Sequence, residues 1–329
     1  ETGAGETRGE TLMQVSIREV LQLAERCFAA ADFSKGTARA NAESIWWTEA
    51  YRGTGLAALH DLLEELDRCD RSELRLREQS ATVSVIDGQT QPSIVASDPL
   101  LDFSSSKADR HGVGLAYATI EANDTSLPTI GHVAYKAAER DLISVLTYTD
   151  GSDSGTILGA PTGQKPLIAE AALATPSAAL LDVRNVIESR HHQQQNSPLM
   201  QTFFDADADR NAEDTDEQLL GQVLQRAAEP ATSSKVIAEP GVALLCFDPS
   251  HPRYPKRIRR LVTQFVDNQE EQFAEVFRPE HIKERVATLM HDGVEVNRSV
   301  WEDIFEYNTG VLTPPFEGSE QGAGFGLND

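Results

Sequence analysis

The sequence predicts an α/β protein: a central sheet flanked by helices, with a helical N-terminal subdomain. Three observations carry that class. Apolar residues recur at helical spacing in three successive segments before any strand pattern begins. From residue 82 onward, strand-like and helix-like segments interchange, the order expected when helices cover the faces of a sheet. A chain of 329 residues, 40% hydrophobic and 25% charged, also has the size and composition of a soluble globular protein with ample core.

Each element has its own signal. Ser16-Ile17-Arg18-Glu19 reads as a capping box, a hydroxyl at the helix start with a carboxylate three residues on. Ile17, Val20, Leu21, Ala24 and Phe28 then share one helix face. Ser34 is placed to cap a second helix that turns Ala38, Ala42, Ile45 and Trp46 inward. Thr54 is placed to cap a third, whose stripe of Leu56, Leu59, Leu62, Leu63 and Leu66 suits either a core or a subunit interface. Residues 82–86 alternate and stop at Asp87-Gly88, a strand and its turn. A helix near 94–109 leads to a strand at 112–120, and a helix at 131–140 leads to a strand at 142–147. Strands at 156–160 and 167–171 precede a helix near 177–190.

The stretch 191–216 opens on His191-His192 and glutamines and ends in acids, so it reads as an acidic, polar, mobile segment. A short helix at 217–228, a strand at 242–247 and helices near 255–270, 279–290 and 298–307 follow. The expected organisation is therefore a disordered or non-native start at 1–13, a helical subdomain at 14–70 and an α/β core at 71–190. After the polar segment come a C-terminal α/β and helical part at 217–310 and a Gly/Pro-rich tail at 311–329.

Charge narrows the partners. With 52 Asp and Glu against 29 Lys and Arg, the formal net charge of -23 argues against a nucleic-acid backbone or an anionic membrane surface. Of those cations 22 are Arg and only 7 are Lys, which fits a salty habitat or simply a solvated acidic surface. Cys27, Cys69 and Cys246 are odd in number and outside any CxxC pattern. They predict buried thiols in a reducing compartment, the cytoplasm, instead of a disulfide framework. No apolar run is long enough to cross a membrane, and no signal-peptide pattern is visible.

No metal site is expected either. Asp205, Asp207, Asp209, Asn211, Glu213 and Asp216 follow calcium-loop spacing, but Arg210 stands where the loop needs glycine and Asp216 where it needs glutamate. His191 and His192 are adjacent, so in regular structure their rings point apart.

A family resemblance runs through residues 15–305. Its markers are Arg52-Gly53, His111-Gly112-Val113-Gly114-Leu115, Gly159-Ala160-Pro161-Thr162-Gly163, the Asp205–Asp209 run, Phe247-Asp248-Pro249, and Asp292-Gly293-Val294 through Trp301. In that order they resemble the type-2 malate/L-lactate dehydrogenase family. The resemblance implies that fold, with NADH or NADPH as cofactor, 2-oxo acids or cyclic imines as substrates, and dimers as the common assembly.

Four departures stand against the activity. Leu56-Ala57-Ala58 occupies the place of the family's Ser-His-Gly motif, and an aliphatic side chain donates no proton to a developing alkoxide. Asn123-Asp124-Thr125 replaces Asn-His-Phe. Glu170 or Ala171 stands for the Asp that precedes an Ala-Thr-Ser segment, here Ala174-Thr175-Pro176-Ser177. The Gly-Gly-x-Lys-Gly region is not recognisable around 231–239.

Four residues are candidates for surviving chemistry. His60 lies one helical turn beyond Leu56 and is the imidazole nearest the lost motif, although a His among leucines is more often structural. Arg52 has the geometry to grip a carboxylate in a bidentate pair, or to make a local ion pair. Asp124 and His132 flank the turn at Pro128, beyond the end of a strand, where α/β proteins place ligands; ordinary turn and surface roles compete. Three functions follow: a non-catalytic pseudoenzyme relative, with no cofactor expected, acting as a structural or regulatory subunit in a homodimer or a heterodimer with an active paralogue; an active NAD(P)H-dependent oxidoreductase with a rearranged site; and a binding protein for a small carboxylate.

Overall fold

A computed structural model describes residues 11–88, 91–189, 213–231 and 239–309. The paired histidines, most of the acidic run, the stretch around the unrecognised glycine-lysine motif and the 311–329 tail lie outside the described residues.

The three N-terminal helices form where the caps place them. Helix α1 (Ile17–Ala30) carries the complete capping box: Glu19 N–H donates to Ser16 Oγ at 3.1 Å, and Ser16 N–H to Glu19 Oε2 at 2.7 Å. Helix α2 (Lys35–Arg52) starts at Ser34 and ends at Gly53, whose φ of 72° is left-handed. Helix α3 (Gly55–Leu66) differs at its start. Thr54 makes no side-chain cap bond, and Glu49 accepts the Leu56 N–H instead, at 2.9 Å. The leucine stripe is covered within the chain: Leu56, Leu59, Leu62 and Leu66 are buried against Ile45, Ile94, Val95 and Ile304, and only Leu63 is half-buried. On α2 it is Trp47 that is fully buried, while Trp46, expected inward, is half-buried.

Two strands stand apart from the main sheet. β1 (Leu12–Val15) pairs antiparallel with β10 (Val294–Asn297), Leu12 opposite Asn297 and Val15 opposite Val294. The expected disordered start at 1–13 is thus corrected at Leu12 and Met13, which the far end of the chain recruits into a ladder.

Among the described residues the main sheet has eight strands in the order β2-β3-β4-β8-β5-β6-β7-β9. They are β2 (Arg75–Gln79), β3 (Val83–Asp87), β4 (Val113–Thr119), β5 (Ile143–Thr149), β6 (Ser154–Ala160), β7 (Leu167–Leu173), β8 (Gly241–Phe247) and β9 (Glu275–Phe277). Only β3 and β4 pair in parallel, because helix α4 (Ser93–His111) supplies the crossover there. β5, β6 and β7 form an antiparallel meander, and β8 inserts antiparallel between β4 and β5. Every residue of β8 is buried, as its unbroken apolar sequence requires of a central strand covered on both faces.

One face packs under α6 (Ala178–Ser189), α7 (Glu213–Ala228) and α8 (Leu261–Asn268) through Leu180, Leu220, Val223, Leu224, Val262 and Val266. The opposite face packs under α2, α4 and α5 (Gly131–Glu139). Helices α9 (Pro279–Asp292) and α10 (Arg298–Thr309) close the chain, with α10 lying on α1 and α3. The polar segment expected to reach 216 is helical from Glu213.

Close packing of α4 on β4 depends on Gly114. A Cβ there would stand 2.0 Å from Ser104 O and 2.9 Å from Ala108 N, both backbone atoms. Gly114→Ala is therefore expected to push the helix off the sheet and lose about 1–3 kcal/mol. A urea midpoint equal to that of the parent would show that the helix shifts freely.

Candidate functional site

The end of α2, the turn before α5 and the middle of β7 meet at one buried ion pair. Arg52 Nη2 contacts Glu170 Oε2, and Arg52 Nη1 donates to Pro128 O at 2.7 Å. The guanidinium also lies 5.7 Å from the ring centre of Trp47. The two side chains are 17% and 13% exposed, so the pair sits largely out of water. Burial pushes the Glu170 carboxyl up from its ordinary range, and the Arg52 charge pulls it back down. Its second oxygen, Oε1, is buried without a hydrogen-bond partner among the described residues.

Aromatic rings wall this place. Trp47 stacks on Tyr51 at 4.6 Å, and Tyr51 meets Tyr135 and Phe277 edge-on, each at 5.5 Å. Gly131 opens α5 because nothing larger fits: a Cβ would come within 2.7 Å of the Trp47 ring and 3.1 Å of Glu170 Oε1. Next to it His132 is buried, with Nδ1 2.8 Å from Ser44 Oγ and its ring 6.2 Å from Trp47. Burial first, and the charge of Lys136 second, push the His132 imidazole down to about 3. It is therefore neutral at physiological pH.

Asp124 is buried for a local reason. It accepts the Ser93 N–H at 2.8 Å, the Ser126 N–H at 2.9 Å and the Ser126 hydroxyl at 2.7 Å, tying the turn after β4 to the start of α4. Burial raises its carboxyl, and these hydrogen bonds oppose the rise. His60 does not look toward Arg52. Its Nε2 lies 3.1 Å from Asp303 on α10, and Nδ1 lies 3.7 Å from Asp61, so it tethers the closing helix at the surface. Of the four candidates, Arg52 and His132 share Trp47 as a neighbour; Asp124 joins them only through the intervening turn, and His60 faces another element.

In the Leu56-Ala57-Ala58 segment Leu56 and Ala58 are packed, only 3% and 5% exposed, while Ala57 is exposed. The start of α3 is pressed onto α2, where a Cβ on Gly55 would fall 2.2 Å from Ile45 O. Burial raises the Glu49 carboxyl, and the Leu56 and Gly55 N–H groups that it accepts oppose the rise.

Sequence alone does not single out the partners that define the site. Ser44, Trp47 and Tyr51 sit at helical spacing i, i+3, i+7 on α2, which is the signal that they share a face. Glu170 stands out in the sequence only as the acid in place of the family's Asp. Among the described residues no group of three or more His, Cys, Asp and Glu is arranged to hold a metal ion. All three cysteines are free, with Cys27 and Cys246 buried.

No protein-family description matches the chain, and no curated protein matches it. Solved structures do. Malate dehydrogenase from Pyrococcus horikoshii OT3 is 15% identical, with 96% of this chain and 99% of that chain covered at a TM-score of 0.56. Sulfolactate dehydrogenase from Methanocaldococcus jannaschii is 14% identical, covering 92% and 98% at 0.56. Delta1-piperideine-2-carboxylate reductase from Pseudomonas syringae is 17% identical, covering 90% and 99% at 0.50. The class is thus an α/β protein with a mixed central sheet flanked by helices. Its particular architecture is the malate/lactate dehydrogenase-like fold. No helix of the described residues is long and apolar enough to cross a membrane.

Proposed function

We propose that this chain is a non-catalytic relative of the NAD(P)-dependent 2-hydroxy acid dehydrogenases, serving as a structural or regulatory subunit with itself or with an active paralogue. The observation that carries the reading is that each candidate group is already engaged inside the chain. The charge of Arg52 is met by Glu170, Asp124 holds three N–H and O–H groups, and His60 is paired with Asp303. His132 is a buried, neutral imidazole bound to Ser44, not a proton donor poised near working pH. Where the resemblance calls for a proton donor stands Leu56-Ala57-Ala58, whose side chains donate none; Leu56 and Ala58 are buried and Ala57 is exposed.

Engaged in this way, the four candidate side chains supply no free proton donor for a hydride step. A small-carboxylate site is disfavoured by the same ion pair, since an internal carboxylate already occupies the guanidinium. The test is a thermal-shift titration with NADH and NADPH, followed by turnover assays. Malate and sulfolactate are assayed in the presence of NAD+ or NADP+, and delta1-piperideine-2-carboxylate in the presence of NADH or NADPH. No saturable shift and no turnover are expected. A cofactor that bound at a hundredfold over its Kd would stabilise the fold by about 2.7 kcal/mol. Such a shift together with turnover would overturn the reading.

A further inference from the structure

A cation lies buried at the other end of the sheet with no ion-pair partner among the described residues. Lys107, near the end of α4, is 7% exposed. Its Nζ donates to Ser80 O at 2.5 Å and reaches Ala81 O at 3.5 Å, both neutral acceptors. Among the described residues no carboxylate pairs with Lys107 or with Arg110, three positions on. Burial first, and the like charge of Arg110 second, hold the Lys107 amine below its ordinary range. Lysines are rarely buried unless paired. In a chain with 52 acids and 29 cations, a buried ammonium whose charged neighbour is another cation is out of keeping with the surface around it.

The same place is a cavity of about 320 Å³, with Lys107, Arg110 and His111 on its wall beside Gln79, Ser106 and Phe103. Among the described residues no Asp or Glu lines it. Two of the carbonyls that end α4 are taken up: Gly112 N–H donates to Ala108 O at 2.7 Å, and Arg253 Nη1 donates to His111 O at 2.6 Å. The cavity opens where β3 and β4 begin, whereas Asp124 and His132 follow the end of β4. The seven residues of β4 separate the two by roughly 20 Å.

We propose that this cavity binds a small phosphate-bearing anion, with Lys107 as the buried counter-charge, Arg110 as the outer fork, and Ser106 and His111 as flanking hydrogen-bond groups. A compact anion suits the site better than a polyanion. Inside the cavity a compact anion meets Lys107 and Arg110 on the wall, whereas an extended chain also meets the acidic remainder. The site stands independently of the non-catalytic reading and supplies a place for an effector.

Calorimetric titration of the full chain at low salt with inorganic pyrophosphate, and separately with adenosine monophosphate, tests it. Saturable one-to-one binding is expected, weakened about tenfold or more by Arg110→Ala. Arg39→Ala, which removes a paired surface cation elsewhere, is expected to leave it unchanged. Lys107 supplies a readout apart from affinity: pyrophosphate should slow acylation of its amine in the parent and not in Arg110→Ala. Tighter binding of pyrophosphate assigns the site to inorganic phosphates, and tighter binding of the nucleotide assigns it to esters whose organic part meets Phe103. Absence of saturable binding to both anions, or binding indifferent to Arg110→Ala, overturns the proposal.

Discussion

Acidification from pH 6.5 is expected to destabilise the protein through His132, and replacing that residue removes its share of the slope. His132 has an ordinary pKa of 6.5 that burial pushes down to about 3 in the folded chain. A lowered pKa means that folding favours the neutral ring, so the contribution is fully present above 6.5 and is lost as pH falls through 3. In between, stability declines by at most about 1.4 kcal/mol per pH unit, or about 2 kcal/mol between pH 6.5 and 4.5.

Buried carboxyls act with the opposite sign. Asp124 and Glu170 are raised, so their contribution is present below their ordinary values and is lost as pH rises through the raised ones. Comparison with a variant cancels them. His132→Asn keeps a polar group facing Ser44 Oγ without a titrating ring. Urea unfolding at pH 7 and 4.5 should show the parent losing about 2–3 kcal/mol more than the variant. Equal losses in the two proteins would mean that the ring takes a proton without leaving its pocket.

Elements announced by local chemistry were legible in the sequence, and those made by distant partners were not. Ser16 and Glu19 build their cap from residues three apart, so the start of α1 was visible. The apolar run of β8 marked a strand, which the structure buries along its whole length. β1 is four residues long and becomes a strand only because Val294–Asn297 returns beside it, which no local window contains. Trp46 and Trp47 differ by about 100° around α2, and adjacent tryptophans leave helical periodicity ambiguous about which faces the core. The site follows the same rule. Arg52 and His132 stood out by residue type and position, but Glu170 and Ser44 lie on other elements, 88 positions separating Ser44 from His132. Without those partners Arg52 reads as an open anion receptor and His132 as a free base.

The Arg52–Glu170 pair should prove strongly coupled. Arg52→Met leaves the Glu170 carboxylate buried, with Oε1 already lacking a partner, and is expected to cost about 3–5 kcal/mol. Glu170→Leu alone leaves the guanidinium with Pro128 O and the Trp47 face, a smaller loss. The double variant Arg52→Met/Glu170→Leu removes both charges, so most of the first loss should return, giving a coupling energy of about 2 kcal/mol or more. Urea midpoints of the four proteins measure that energy directly. Additive losses would mean that the guanidinium and the carboxylate are each solvated independently. Arg52 would then be open to an external carboxylate, and the non-catalytic reading would lose the contact on which it chiefly stands.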